Sequence, residues 1–355
     1  MAHAELVSAG QISENQRMSS VANVAIHPSQ FPETVRRDLL EALRTRRVNH
    51  KFHYDSAKQT QKWLALHQAY SPSRNDADSA VSYDRAFAGA AGHIGAPAVH
   101  VLGLGCGGGQ KDTRLLKLLR ERGKKISYTP ADVSTAMVLV AREAALAVVA
   151  AEDCFPFVCD LATASDLPKL LVTHHALSRR SEASAESHLP RLMTFFGMIP
   201  NFEPGEILPK LAALVRPGDW LLFSANLAPG PDYAAGVQRV LPQYDNPLTR
   251  DWLLTFLLDL GVERGDGEVR FAVEEGDAEN QLKKIVARFH FARPRRIEIE
   301  GEAFEFHPGD DFQLFFSYRY TPDRVRTTLA DHGLEVRDQW LTQSEEEGVF
   351  LCGRR

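Results

Sequence analysis

At 355 residues, 44% of them hydrophobic and 25% charged, the chain is long enough for one large domain or two ordinary ones with real cores. Its formal net charge of −5 gives no general attraction to nucleic acid or to anionic lipid, so neither class of partner is expected. The four cysteines, Cys106, Cys154, Cys159 and Cys352, have neither CxxC spacing nor the density of a secreted disulfide scaffold, and they read as reduced thiols in a cytoplasm.

Residues 1 to about 30 are polar, without a clear period, and read as a mobile arm; they lack the basic flank and apolar core of a signal peptide. Pro32 to Leu43 has a helix-start Pro and apolar residues at helical spacing. Residues 50 to 75 then carry aromatics among polar residues, HKFHYDSAKQTQKWLALHQAYSPSR, which is not simple core composition. From Ala98 the pattern alternates. VHVLGL is a short apolar run closed by glycines, and TRLLKLLRERG follows as an amphipathic helix ending in basic residues and Gly. ISYTPAD, a helix opening after Ser134, FPFVCD, LMTFFGM and WLLFSANL continue the rhythm, which implies βαβ units and a parallel sheet. The apolar stretch from Ala136 to Ala151 is broken by Arg142 and Glu143 and is too short to span a bilayer. RPGD at 216 to 219 is a turn feeding a central strand.

The stretch 230 to 310 breaks the rhythm with a helical TRDWLLTFLLDLG, an acidic segment around Glu274 to Glu279, and a hairpin, RRIEIEGEAFEFHPG, that alternates apolar and charged residues. It reads as an inserted lobe. The last forty residues return to a sheet through FQLFFSYRY, a helix capped by Thr321 with Pro322 first and Gly333 at its end, then LEVRDQWL and GVFLCGRR.

The sharpest local signal is VHVLGLGCGGGQKD, Val99 to Asp112. Gly105, Gly107 and Gly109 follow a strand and open a helix, so the backbone can turn tightly and approach a nucleotide-like ligand. The spacing GxGxG, rather than GxGxxG, leans toward S-adenosylmethionine and away from a dinucleotide. Asp132 lies about twenty residues past the helix opening, where an acid commonly accepts hydrogen bonds from a ribose, and Asp160 closes the following strand. Each acid alone would also serve as a helix N-cap. Lys111 is placed to meet a cofactor carboxylate, or to stand as a solvated lysine at a helix start.

With the loop, the two acids and FFGMIPNFEP (195 to 204) in hand, the chain resembles the histidine-specific Nα-methyltransferases of ergothioneine biosynthesis, a family with fungal relatives that act on a prenylated tryptophan. The resemblance runs from about residue 50 to the C-terminus. It rests on KFHYDSAKQTQKW, AYSPSR, GLGCGGGQK, YTPADVS, FFGMIPNFEP, RPGDWLLFSANL, QYDNP and FFSYRYTPDRV. It implies an α/β fold of the class I S-adenosylmethionine-dependent methyltransferases, a Rossmann-like and mostly parallel seven-stranded sheet, with a second substrate-binding α+β lobe. The lobe would combine 31–75 with 230–314, and the cofactor domain 76–229 with 315–355. By resemblance, Gly105, Lys111, Asp132 and Asp160, with Leu161 beside it, bind S-adenosylmethionine, and S-adenosylhomocysteine is the product. Asn201 would hold the amino and carboxylate groups of an amino acid, Tyr244 would bind its carboxylate, and Tyr54 and Tyr70 would line the pocket, with Asn201 and Tyr54 catalytic.

The residue types suit the chemistry. Methyl transfer to nitrogen needs an amine lone pair aligned behind the sulfonium carbon, so positioning carries much of the catalysis. An Asn amide offers donor and acceptor together, and a phenol can donate without adding formal charge. Asn201 would otherwise cap the helix in EPGEILPKLAAL, and Tyr54 and Tyr70 would otherwise pack as core aromatics.

The chain also departs from the family. The Glu that reads the imidazole two residues before Ser317 is Phe315, the residues before Asn201 include Met198 and Pro200, and the acid usual at the end of the first strand is Gly103. A lost acid and a gained phenyl ring weaken imidazole recognition and favour an apolar or aromatic side chain, with Trp63 and Phe315 as an aromatic wall. The expectation is an N-methyltransferase for an amino acid or related small amine other than histidine, monomeric or weakly dimeric. The alternatives are strict L-histidine methylation and a non-catalytic cofactor-binding scaffold. His174, His175 and His188 match no metal-ligand spacing, so no metal is expected; His290 and His307 read as structural. GxSxG, HExxH and P-loop motifs are missing from the sequence.

Overall fold

The computed structural model describes residues 21–70, 76–170, 189–276 and 281–355. His174, His175 and His188, and the whole SPSR run after Tyr70, lie outside them. Eight strands form the larger sheet: β1 (Ala25–Ile26), β2 (Ala98–Leu104), β3 (Lys125–Asp132), β4 (Phe157–Val158), β5 (Arg191–Phe195), β6 (Trp220–Asn226), and, near the C-terminus, β12 (Leu334–Leu341) and β13 (Glu347–Arg354). Their spatial order is β1-β4-β3-β2-β5-β6-β13-β12. β13 runs antiparallel between β6 and β12, and the other pairings are parallel.

The central strands read as continuous apolar runs because both faces are covered. Val99 and Val101 of β2 pack with Tyr83, Phe87 and Leu115 on one face, while Leu102 and Leu104 pack with Ile207, Leu211 and Leu329 on the other. The connecting helices begin where short polar side chains satisfy free N–H groups. Ser134 accepts from Met137 N at 3.3 Å, and Thr321 accepts from Arg324 N at 3.2 Å with Pro322 at the first helical position.

The second lobe has a three-stranded antiparallel sheet of β7 (Gly267–Glu275), β8 (Lys283–Phe291) and β11 (Asp311–Arg319), in the order β11-β8-β7, and a hairpin of β9 (Arg295–Ile299) and β10 (Glu302–Phe306). The hairpin turns at Glu300 and Gly301, both left-handed (φ 52° and 86°), which matches the twist of the flanking strands. The helix Pro247–Asp259 and the helix Pro32–Thr45 share this lobe's core with Phe289, Phe291 and Phe312.

Three expectations change. The sheet has an eighth strand, because Ala25 and Ile26 pair in parallel with β4; Ala25 N donates to Pro156 O at 3.0 Å and His27 N to Val158 O at 2.8 Å. The end of the expected mobile arm is therefore part of the sheet edge. FQLFFSYRY, expected to fall mostly in the cofactor domain from residue 315, pairs with β8 from Asp311 to Arg319, with a register shift between Gln313 and Phe315, and only Tyr320 bridges to Leu227 beside the larger sheet. The strand is continuous across the expected boundary at 315, so the lobe extends to Arg319.

Candidate active site

The carboxyl ends of β2, β3 and β4 face the lobe across a cavity of about 1110 Å³. Open α/β sheets place ligands at such ends because the loops there carry free backbone groups around a crevice. Gly105 and Gly107 line it in left-handed conformations (φ 59° and 52°), which glycine adopts without steric cost. A Cβ at Gly105 would come within 2.8 Å of Met198, and one at Gly107 within 3.1 Å of Trp63. Two side chains expected on the substrate side thus rest directly on the glycine loop.

The acids of this half are held by backbone. Asp132 accepts from Gly107 N at 2.9 Å through Oδ2 and from Ser134 N at 3.0 Å through Oδ1; burial pushes its carboxyl above the usual range. Asp160 accepts from Ala162 N at 2.9 Å through Oδ1, while its buried Oδ2 has no hydrogen-bond partner and lies 3.8 Å from Lys51 Nζ. A buried carboxylate oxygen without a donor costs free energy until a ligand supplies one. An adenosyl group offers an amino group and ribose hydroxyls, so these residues fit it. Leu161 lines the same wall. The 3-10 turn Pro28–Gln30 that follows β1 reaches here too: Asp160 N donates to Ser29 Oγ at 2.9 Å.

The opposite half is aromatic. Tyr54 lies 5.5 Å from Trp252, 6.0 Å from Trp63 and 5.0 Å from His50, ring to ring, and Phe315 lies 6.1 Å from Trp252 and 6.0 Å from Tyr244. Trp63 and Phe315 are joined through Tyr54 and Trp252 rather than touching as a pair. Tyr54 and His50 in this wall are both pushed toward their neutral forms. Burial and the neighbouring Asp132 charge hold the Tyr54 hydroxyl well above its ordinary range, and burial with His53 alongside pushes His50 down to about 3.

At one end of this wall stands a polar cluster. Arg319, 4% exposed, donates from Nη2 to the Tyr244 hydroxyl at 2.7 Å and from Nη1 to Leu227 O at 3.2 Å, and its buried Nε has no partner. Among the described residues no carboxylate comes within ion-pair distance of it. The Tyr244 hydroxyl lies 3.0 Å from Ser317 Oγ, and Asn226 Nδ2 lies 3.5 Å from both. A guanidinium buried with a free donor and no anion costs several kcal/mol, so the arrangement favours a ligand that brings an anion.

Of the expected residues, Tyr54, Trp63, Tyr70, Met198, Asn201, Tyr244, Phe315, Lys111, Asp132, Asp160, Gly105 and Gly107 line this one cavity, with Tyr70 at its exposed rim. Asn201 is buried and does not cap a helix; its Nδ2 donates to Phe316 O at 2.8 Å, which ties the 3-10 turn after β5 to β11. Lys111 donates to the Tyr83 hydroxyl at 2.7 Å, and Tyr83 donates to Glu347 at 2.5 Å. Two placements differ. Gly109 faces away from the cavity, where a Cβ would lie 2.7 Å from Ala141 Cα, so it serves helix packing. Ser317 is fully buried behind Tyr244. Trp252, Arg319, Asn226, His50 and Asp112 went unnoticed in the sequence. Period-two spacing of Phe315, Ser317 and Arg319 was the one available signal, since alternate strand residues share a face.

A profile of the family described as "Histidine-specific methyltransferase, SAM-dependent" matches residues 35–354. The chain is 25% identical over 252 residues to the N-methyltransferase imqF of Aspergillus flavus, a match that covers 70% of this chain and spans 64% of that protein's length. Two solved structures are an S-adenosylmethionine-dependent methyltransferase from Clostridium acetobutylicum (12% identity, 83% of this chain and 98% of that one, TM-score 0.43) and magnesium protoporphyrin IX methyltransferase from Synechocystis with bound SAH (12% identity, 91% and 100%, TM-score 0.39). Among the described residues no helix is long and apolar enough to cross a membrane.

Proposed function

The chain belongs to the family of histidine-specific, S-adenosylmethionine-dependent methyltransferases, and from that premise we propose that it methylates the amino group of an amino acid, or related small amine, other than histidine. The acceptor carries an apolar or aromatic side chain. The observation that carries this reading is the pairing, in one cavity, of an uncompensated buried guanidinium with an aromatic wall: Arg319 and Tyr244 at one end, Phe315, Trp252, Tyr54 and Trp63 along the side. The N-methyltransferase named among the relatives supports nitrogen as the acceptor atom.

When bound, the cofactor would supply an electrophilic methyl group on sulfur to the lone pair of the acceptor nitrogen, whose surplus proton would pass to water. The chain's part is positioning and charge. Asn201, fixed by Phe316 O, keeps its carbonyl oxygen available to orient an N–H. Tyr54 is held as a neutral phenol, so it donates a hydrogen bond and presents a π face to the developing cation rather than acting as the base.

A mass-spectrometric screen of amino acids and biogenic amines with methyl-labelled S-adenosylmethionine tests the reading, and label is expected on an aromatic or apolar amino acid. Calorimetry with S-adenosylhomocysteine present is expected to show weak histidine binding that Phe315→Glu strengthens. Tight histidine binding abolished by that substitution would sink the proposal, and binding of cofactor without any labelled amine would favour a scaffold instead.

A further inference from the structure

β2 reaches the glycine loop without an acid, since residue 103 is Gly. The volume its side chain would fill is occupied from another element: a Cβ at Gly103 would run into Oδ2 of Asp112, in the first turn of the helix Gln110–Glu121, with the Tyr128 hydroxyl 3.0 Å away. Asp112 is 2% exposed and lines the cavity beside Gly105. Tyr128 donates to its Oδ2 and Thr194 to its Oδ1, both at 2.7 Å. These neutral donors fix the carboxylate from β3 and β5 and use one lone pair on each oxygen. A carboxylate has about four such positions, so each oxygen can accept one more donor. The neighbouring Lys111 hydrogen-bonds to Tyr83, and among the described residues no cation comes within ion-pair distance of Asp112. Burial leaves its carboxyl at a pKa of about 6.

We infer that Asp112 binds the α-ammonium group of the cofactor's methionine moiety, taking over from the helix the place that Gly103 leaves empty on the strand. A buried carboxylate with two neutral donors behind it and open valence in front matches an ammonium, which brings both the charge and the N–H groups. An acid in a helix's first turn also gains from the helix dipole, and a merely structural Asp would answer to that alone. The inference rests on the family's cofactor and not on the acceptor, so its failure leaves the acceptor reading untouched.

Calorimetry on the full chain separates the cases with two probes, S-adenosylhomocysteine, which carries the ammonium, and 5′-methylthioadenosine, which lacks the amino-acid part. Asp112→Asn keeps the shape and one acceptor. It is expected to weaken S-adenosylhomocysteine by about 10- to 100-fold, the range for a lost charge-assisted hydrogen bond, and to leave methylthioadenosine within about twofold. Unchanged binding of S-adenosylhomocysteine overturns the inference. So does an equal loss for both nucleosides, which would mark Asp112 as a packing residue.

Discussion

The glycine-loop half of the cavity is made of backbone and short acids, the aromatic half of large side chains, and the two differ in how they were assembled. Gly105, Gly107, Asp112 and Asp132 come from one unbroken strand–loop–helix–strand run, with Asp160 one strand further on. Tyr54, Asn201, Tyr244 and Trp252 come from four separate stretches of the chain, and Phe315 and Arg319 share β11 of the second lobe's antiparallel sheet. Backbone N–H groups hold Asp132 and Asp160, whereas other side chains hold Arg319 and Tyr244. The first kind of site changes little without a change of fold. The second can be respecified by single substitutions, since each side chain there is held by its neighbours and not by the backbone of the main sheet. The halves meet where Met198 rests on Gly105 and Trp63 on Gly107, so an acceptor bound against those side chains lies next to the cofactor loop.

If the halves are energetically separate, substitutions in one should spare the other. Arg319→Met removes the buried cation at similar length; turnover of the amine found in the labelling screen should fall by about 100-fold or more, the scale for one partner of a buried charge pair, with S-adenosylhomocysteine affinity unchanged in calorimetry. A parallel loss of cofactor affinity would break the division. Asp160→Ala should do the reverse, weakening S-adenosylhomocysteine by about tenfold while the acceptor KM at saturating cofactor stays put. Ser29→Ala tests the smallest effect. It removes the hydroxyl that accepts from Asp160 N, and a neutral hydrogen bond of about 1 kcal/mol corresponds to roughly a fivefold loss of S-adenosylhomocysteine affinity. No change there would mean that the turn Pro28–Gln30 after β1 only packs beside the site.

The legible part of the molecule was the local part. Alternating apolar runs, Ser134 and Thr321 as caps, and glycines closing the first of those runs each state a structure within a few residues, because backbone sterics and free N–H groups act at short range. Asp132 and Asp160 followed from their position at strand ends. Arg319 and Trp252 were hidden for the opposite reason. Arg319 reads as a polar residue in a strand, marked only by its period-two spacing from Phe315, and Trp252 reads as a core aromatic in a helix, with no local pattern that marks it as cavity-lining.

The amino-acid sequence by itself determined the parallel sheet and the glycine loop with the acids that follow it. Tertiary structure alone decided that β11 belongs to the second lobe, that Ala25 and Ile26 close the sheet, and that Gly109 packs on Ala141 while Asp112 fills the place beside Gly103. Those outcomes turn on which strand finds which edge and which side chain finds which space. Such contacts join residues far apart in the chain, so they are set by the packing of the whole molecule and leave no periodic trace in any one segment.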